Sequence, residues 1–198
     1  MTLNLPTMLT WLRVAFIPLM VLFFYLDVAW APLAAATTFG LAGLTDWADG
    51  YYARKLGLES RFGAFLDPVA DKLIVAVALL LIVGREGSVW FTVAAMVIIG
   101  REIIISALRE WMAQIGQHGK VAVAYIGKVK TTAQIIAMIF LLYNQDLFGF
   151  LPMRELGIIA LVAAVVLTVV SMVQYLQGAF SGVFVKLKLQ TLRFYCMP

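Results

Sequence analysis

Cysteine occurs once in this chain, at Cys196, and histidine once, at His118. A single cysteine excludes a disulfide-stapled secreted scaffold. Together the two are too few for a Cys/His zinc site. Charged residues are also scarce, at 13% of 198 positions, while 63% are hydrophobic. That balance excludes intrinsic disorder, which needs the reverse. It excludes an ordinary soluble domain as well, since such a domain is about half apolar and about a quarter charged. A core within a chain this short cannot absorb so much apolar surface.

What the chain has instead is long apolar runs, with a mean hydropathy of +0.96. Six stand out, at residues 8–26, 29–44, 68–83, 89–112, 121–143 and 156–176. Each is near the ~20 residues that cross a bilayer as a helix, and longer than the ~10 of a barrel strand. An all-α integral membrane protein with six transmembrane helices is therefore expected. The second and third runs are short and adjoin the polar segment between them, which predicts helices continuing past the membrane into water. Residues 1–6 lack the basic region and cleavage site of a secretory signal, so the first run is read as a retained span. There is no repeat, low-complexity tract or linker. One transmembrane domain is expected over residues 1–177. The tail, residues 178–198, is either an interfacial basic segment or an extraneous extension, and no chemistry is assigned to it.

The net charge is +4. In a membrane protein the side on which the basic residues fall matters more than affinity for nucleic acid, and no nucleic-acid partner is expected. With six spans both termini share a side. Arg13, Arg54, Lys55, Arg61, Lys72, Arg101, Arg109, Lys120, Lys128, Lys130, Lys186, Lys188 and Arg193 fall there, thirteen of the fifteen. Only Arg85 and Arg154 fall opposite. The positive-inside rule thus places both termini and the long polar loop in the cytosol.

Four aspartates lie within 26 residues: Asp46 and Asp49 at i, i+3, then Asp67 and Asp71 at i, i+4. Each pair shares a helix face. Four carboxylates at the ends of two apolar helices repel one another and lose hydration, at a cost of at least ~2.5 kcal/mol each near a bilayer centre. Divalent cations remove that cost. Hard oxygen ligands suit Mg²⁺ or Mn²⁺, one ion or two; the two-ion case, common in phosphoryl transfer, is the one expected here. The plainer alternative is a solvated helix end, with Asp67 before Pro68 serving as a cap. Four aspartates at helical spacing beside small residues argue against it.

The full pattern is Asp-x-x-Asp-Gly-x-x-Ala-Arg, eight residues, then Gly-x-x-x-Asp-x-x-x-Asp. It comprises Asp46, Asp49, Gly50, Ala53, Arg54, Gly63, Asp67 and Asp71. This resembles the signature of the CDP-alcohol phosphotransferases at all eight positions and in spacing. The resemblance runs from about residue 3 to about Tyr175. It implies the six-helix fold of that family, a homodimer, and a divalent-metal active site open to the cytosolic leaflet. It also implies displacement of CMP from a CDP-linked lipid by an alcohol. On that resemblance Asp46, Asp49, Asp67 and Asp71 hold the metal. Asp46, Asp49, Gly50, Ala53, Arg54 and Gly63 receive the CDP-lipid, and Asp71 is the general base.

The signature does not specify the alcohol. Arg101 and Arg109 lie at i, i+8 on one side of the fourth run. Lys128, Thr131 and Thr132 share a face of the fifth, with Lys130 about 200° round from Lys128. Arg101, Arg109, Lys128, Lys130 and Thr131 are the expected binding set for a small anion, and a phosphate suits them. Alternatively the arginines pair with Glu102 and Glu110, and Lys130 snorkels to the interface. A phosphorylated acceptor fits the basic set better than a neutral one. Residues 4–13, 61–72, 101–102 and 127–131 also resemble the branch of the family that uses sn-glycerol 3-phosphate. The donor implied is CDP-diacylglycerol, and the product is phosphatidylglycerophosphate, on the route to phosphatidylglycerol and cardiolipin. The location implied is a bacterial cytoplasmic (inner) membrane. Inositol phosphate or serine as acceptor stays open. So does a small ion-coupled transporter, although four aspartates at one end of a span are poorly placed for a midplane ion path.

Overall fold

The structure is a computed structural model that describes the backbone of residues 5–56, 61–114 and 125–195. Side chains are described for residue 8, 10–45, 66–114 and 130–177. The chain is mostly helical: α1 (Leu5–Tyr25), α2 (Ala31–Leu56), α3 (Arg61–Glu86), α4 (Val89–Gln114), α5 (Tyr125–Tyr143) and α6 (Met153–Tyr195). Each expected apolar run overlaps one of these helices, although the second begins two residues before α2 and residues 121–124 of the fifth lie outside the described residues. The second and third helices extend well into the polar segment, as their short runs predicted. Two further features were not anticipated. Between α5 and α6, residues Asp146–Leu147 pair antiparallel with Leu151–Pro152 as a short hairpin. The sixth helix runs on through the tail to Tyr195. Asp67 is the seventh residue of α3 rather than a cap in front of it, and Pro68 lies inside the helix.

Helix ends follow local chemistry. Gly87, at φ +58°, closes α3, its amide bonding the Val83 carbonyl at 3.0 Å. Asn144, at φ +49°, closes α5 in the same way, through Phe140 at 2.9 Å. Both are left-handed caps that favour Gly or Asn.

The helices alternate in direction. α5 packs along α6 and α1 along α2, while α3 and α4 close the bundle. The core is apolar, built on Met20, Phe39, Leu79, Ile82, Ile98, Met138, Leu141 and Leu161. The outside is apolar too: Leu22, Leu44, Leu80, Met96, Ile103 and Ile159 are exposed. Helix α4 and the Met153–Gln177 part of α6 are long and apolar enough to cross a membrane. Only 33% and 28% of their most apolar windows are buried. A core helix of a soluble protein would bury most of such a window.

The two ends of the bundle differ. At one end a small network joins α3, α5 and α6. The Arg85 guanidinium donates to the backbone carbonyls of Leu141 and Leu142, and its carbon lies 5.2 Å from the Phe24 ring centre. Arg154 donates to Glu86 at 2.6 Å. The two basic residues that depart from the positive-inside pattern are thus tied down at the same carboxylate. At the other end Arg13 on α1, Asp71 on α3, Arg101 on α4, Lys130 on α5 and Ser171 on α6 are joined by polar contacts or line one cavity.

The α5–α6 contact depends on Gly157. A Cβ there would lie 2.9 Å from Leu141 Cγ and 3.1 Å from Phe140 Cβ. Gly84, in α3, has nothing within 4 Å of its virtual Cβ. Gly157→Ala is therefore expected to destabilise the protein by about 1–3 kcal/mol through overpacking. Gly84→Ala is expected to be neutral or to stabilise by about 0.5–1 kcal/mol. Thermal unfolding in detergent, comparing the two variants, checks this.

Candidate active site

The expected metal residues divide between two helices. Asp46, Asp49, Gly50, Ala53 and Arg54 lie on the last two to three turns of α2, and Gly63 on the first turn of α3. Their side chains lie outside the described residues, as does that of Lys128 on α5. Asp67 and Asp71 are described. They stand one turn apart on α3, and both are engaged by α1. Thr10 donates its hydroxyl to Asp67. Arg13 Nη1 donates to Asp71 Oδ1 at 2.7 Å. Arg13 is only 1% exposed, whereas the Asp71 side chain is 43% exposed. A buried cation is thereby neutralised by a carboxylate that still faces outward. The α3 pair provides hard oxygen donors at helical spacing, a set that fits Mg²⁺ or Mn²⁺ and not zinc.

Asp71 opens onto a cavity of about 830 Å³, within the range of small-molecule sites. Its walls include Arg101, Glu102 and Arg109 from α4, Thr131 from α5 and Tyr175 from α6. The structure thus brings together one expected catalytic aspartate and three of the five expected anion-binding residues. Lys130 does not snorkel. It is buried at 1% exposure and donates to Glu102 Oε1 at 2.5 Å. Arg101, likewise buried, donates to the same oxygen at 2.8 Å. The pairing of Arg101 with Glu102 is therefore present, but it is shared with Lys130 across two helices.

Tyr175 organises the arginines from the other side. Arg101 and Arg109 have their guanidinium carbons 5.8 and 5.3 Å from its ring centre, both within cation–π range. Arg109 Nη2 also donates to the Tyr175 hydroxyl at 3.3 Å. Ser171 accepts from Arg101 Nη2 at 3.4 Å and donates to the Thr168 carbonyl.

Six of these participants were not assigned from sequence: Thr10, Arg13, Glu102, Thr168, Ser171 and Tyr175. A signal existed for most of them. Thr10 and Arg13 are i, i+3 at the start of an apolar run, where a lone arginine needs a partner. Thr168, Ser171 and Tyr175, at i, i+3 and i+7, form a polar stripe on an otherwise apolar helix, and all three are buried. Glu102 gave no signal of its own, because its neighbour on the helix offered a simple partner.

Comparison with known proteins supports the same reading. The family model for CDP-alcohol phosphatidyltransferases matches residues 3–170. A protein of Sodalis glossinidius (strain morsitans), named CDP-diacylglycerol–glycerol-3-phosphate 3-phosphatidyltransferase, is 54% identical over 184 residues. The match covers 93% of this chain and 99% of that protein. Proteins of the same name from Escherichia coli (strain K12) and Shigella flexneri serotype 5b (strain 8401) are each 51% identical over 179 residues. Those matches cover 90% of this chain and 96% of each relative.

Tyr175→Phe keeps the ring and loses the hydroxyl that Arg109 uses. It is expected to lower turnover about two- to fivefold, as for a lost contact of under about 1 kcal/mol. Tyr175→Ala releases both arginines and should cost about tenfold or more. Initial rates measured alongside thermal unfolding separate this effect from a loss of fold.

Proposed function

The chain belongs to the CDP-alcohol phosphatidyltransferase family, and on that footing we propose that it transfers the phosphatidyl group of CDP-diacylglycerol to sn-glycerol 3-phosphate. The products are phosphatidylglycerophosphate and CMP, which places the enzyme in phospholipid biosynthesis. The observation that carries this reading is the single cavity in which Asp71 faces Arg101 and Arg109. A reactive carboxylate and a phosphate-binding set are thus within one small-molecule volume. The close relatives named for the same acceptor support it.

The acceptor's 1-hydroxyl oxygen attacks the phosphorus that carries the diacylglycerol. A new P–O bond forms as the P–O bond to CMP breaks. Asp71 takes the hydroxyl proton. Arg101, Arg109 and Thr131, with Lys128 and Lys130, hold the acceptor phosphate and fix the hydroxyl near the donor. Gly50 and Ala53 leave room for the nucleotide, and Gly63 completes the small-residue approach. Arg54 contacts the phosphates or the nucleotide. Members of the family use divalent metal ions. Asp46, Asp49, Asp67 and Asp71 would hold Mg²⁺ or Mn²⁺, two ions in this reading, which when bound would neutralise charge on the pyrophosphate and on CMP.

The same reading extends to the membrane. The helical bundle with its apolar exterior and the family's lipid donor indicate a membrane protein. We assign six spans across a bacterial inner membrane, with both termini and the polar end of the bundle on its cytosolic side, on the distribution of Lys and Arg. The catalytic unit is residues 1–177, working as a homodimer in the bilayer, and residues 178–198 take no part in the chemistry.

CMP release by purified protein, with CDP-diacylglycerol, Mg²⁺ and one acceptor per tube, tests the assignment. Release with sn-glycerol 3-phosphate alone is expected; release with serine or inositol phosphate instead would replace the acceptor. Chelation of divalent ions should abolish release, and re-addition of Mg²⁺ or Mn²⁺ should restore it. Asp71→Asn is expected to lower kcat by about 10²-fold or more while nucleotide binding persists. Near-normal turnover in that variant would remove Asp71 as base. Arg101→Ala should raise the acceptor KM more than the donor KM. The opposite pattern would move Arg101 out of the acceptor site.

A further inference from the structure

Arg101 and Glu102 are neighbours on α4. Adjacent residues on a helix diverge by about 100° and do not ordinarily face one another. Here both turn toward Lys130 on α5, and a single carboxylate oxygen, Glu102 Oε1, accepts from Arg101 at 2.8 Å and from Lys130 at 2.5 Å. Both cations are more than nine-tenths buried, and Glu102 lines the cavity. Two buried like charges on facing helices would otherwise repel and turn away from each other. Arg101 also donates to Ser171, at a longer 3.4 Å, and lies 5.8 Å from the Tyr175 ring centre.

We infer that Glu102 is the positioning residue of the acceptor site. It fixes Arg101 in the cavity wall, braced by the buried Lys130 from α5, as a preformed docking group for the phosphate of an anionic acceptor. Among the described residues the cavity wall carries Lys72, Arg101 and Arg109 beside Asp71, Glu102 and Glu110. A phosphate monoester near neutral pH carries about −1.5 to −2, and an arginine held in register offers it a bidentate contact. This inference rests on the phosphorylated-acceptor reading above.

The test is a steady-state comparison of wild type and Glu102→Gln, which keeps shape and removes the charge. sn-Glycerol 3-phosphate and CDP-diacylglycerol are varied in turn, and CMP release is the readout. The expected result is an acceptor KM raised about tenfold or more, with the donor KM within about twofold and kcat within about threefold. In an Arg101→Met background the same change should add less than about threefold, because the cavity-lining cation it orients is gone. An unchanged or lowered acceptor KM in Glu102→Gln overturns the inference, since a mere counter-charge, once removed, would leave the site more attractive to phosphate. Equal rises in donor and acceptor KM also overturn it, as that marks a structural role. If Glu102→Gln gives no folded protein, Glu102→Asp carries the test. It keeps the charge but shortens the reach, and its acceptor KM should rise several-fold; a value within twofold of wild type overturns the inference. Wild type that releases CMP only with a neutral acceptor refutes the acceptor reading and the inference together. Wild type that requires sn-glycerol 3-phosphate, with Glu102→Gln indifferent to it, refutes the inference alone.

Discussion

Three long cationic side chains, Arg13, Arg101 and Lys130, are buried in a bundle that is apolar inside and out. Burying an unpaired charge costs several kcal/mol, so each must find a carboxylate, and the available carboxylates lie on other helices or at the neighbouring position. Arg13 on α1 reaches Asp71 on α3. Lys130 on α5 reaches Glu102 on α4, which Arg101 shares. These pairings fix how the polar ends of the helices meet. Net stabilisation is not their main consequence, since apolar residues of the same size could pack as well. What they provide is position: a carboxylate and several cations held around one cavity.

The alternation of helix direction makes this possible. Chemistry-bearing residues occur near the starts of α1, α3 and α5 and in the later halves of α2, α4 and α6. An up-and-down bundle brings those six regions to one end. The opposite end has no cavity chemistry of this kind among the described residues. There Arg85, Glu86 and Arg154 pair with one another, and Arg85 also bonds the carbonyls of Leu141 and Leu142 on α5. One end is therefore fastened and the other is built to take a ligand. The apolar exterior between them suits a hydrocarbon solvent, in which a lipid substrate can approach sideways while its charged head reaches the polar end.

Within the cavity the division of labour follows from burial. Asp71 is the partly exposed member of its pair, and so remains open to the cavity even while Arg13 holds it. Arg101 and Lys130 are the buried members of theirs, held rigidly rather than free to wander. Tyr175 completes the arrangement from α6, setting an aromatic face against both arginines. A long arginine loses much rotamer freedom when it binds an anion, and preorganisation lowers that cost at the moment of binding. The loosely coordinated features of a flexible basic patch are absent here; the cations are framed before any ligand arrives.

Much of this was determined by the sequence alone. The apolar runs specify six helices because a 20-residue stretch without charges has few other stable fates. The aspartate spacing specifies two helix faces, since i, i+3 and i, i+4 are fixed by the helical repeat. That Arg101, Arg109 and Thr131 would share a polar cavity was legible because polar groups on apolar helices must face something polar. Other features depended on the fold. Glu102 looked like a local partner for Arg101, and only the packing of α5 against α4 reveals that it also holds Lys130. Lys130 looked free to snorkel, yet its position places it in the interior. Arg13 and Tyr175 act on residues 58 and more than 60 positions away in the chain. Local sequence carries spacing and polarity, which set what a helix can present. Which helix receives it is decided by packing over the whole chain, where the energetic demand to pair every buried charge selects one arrangement.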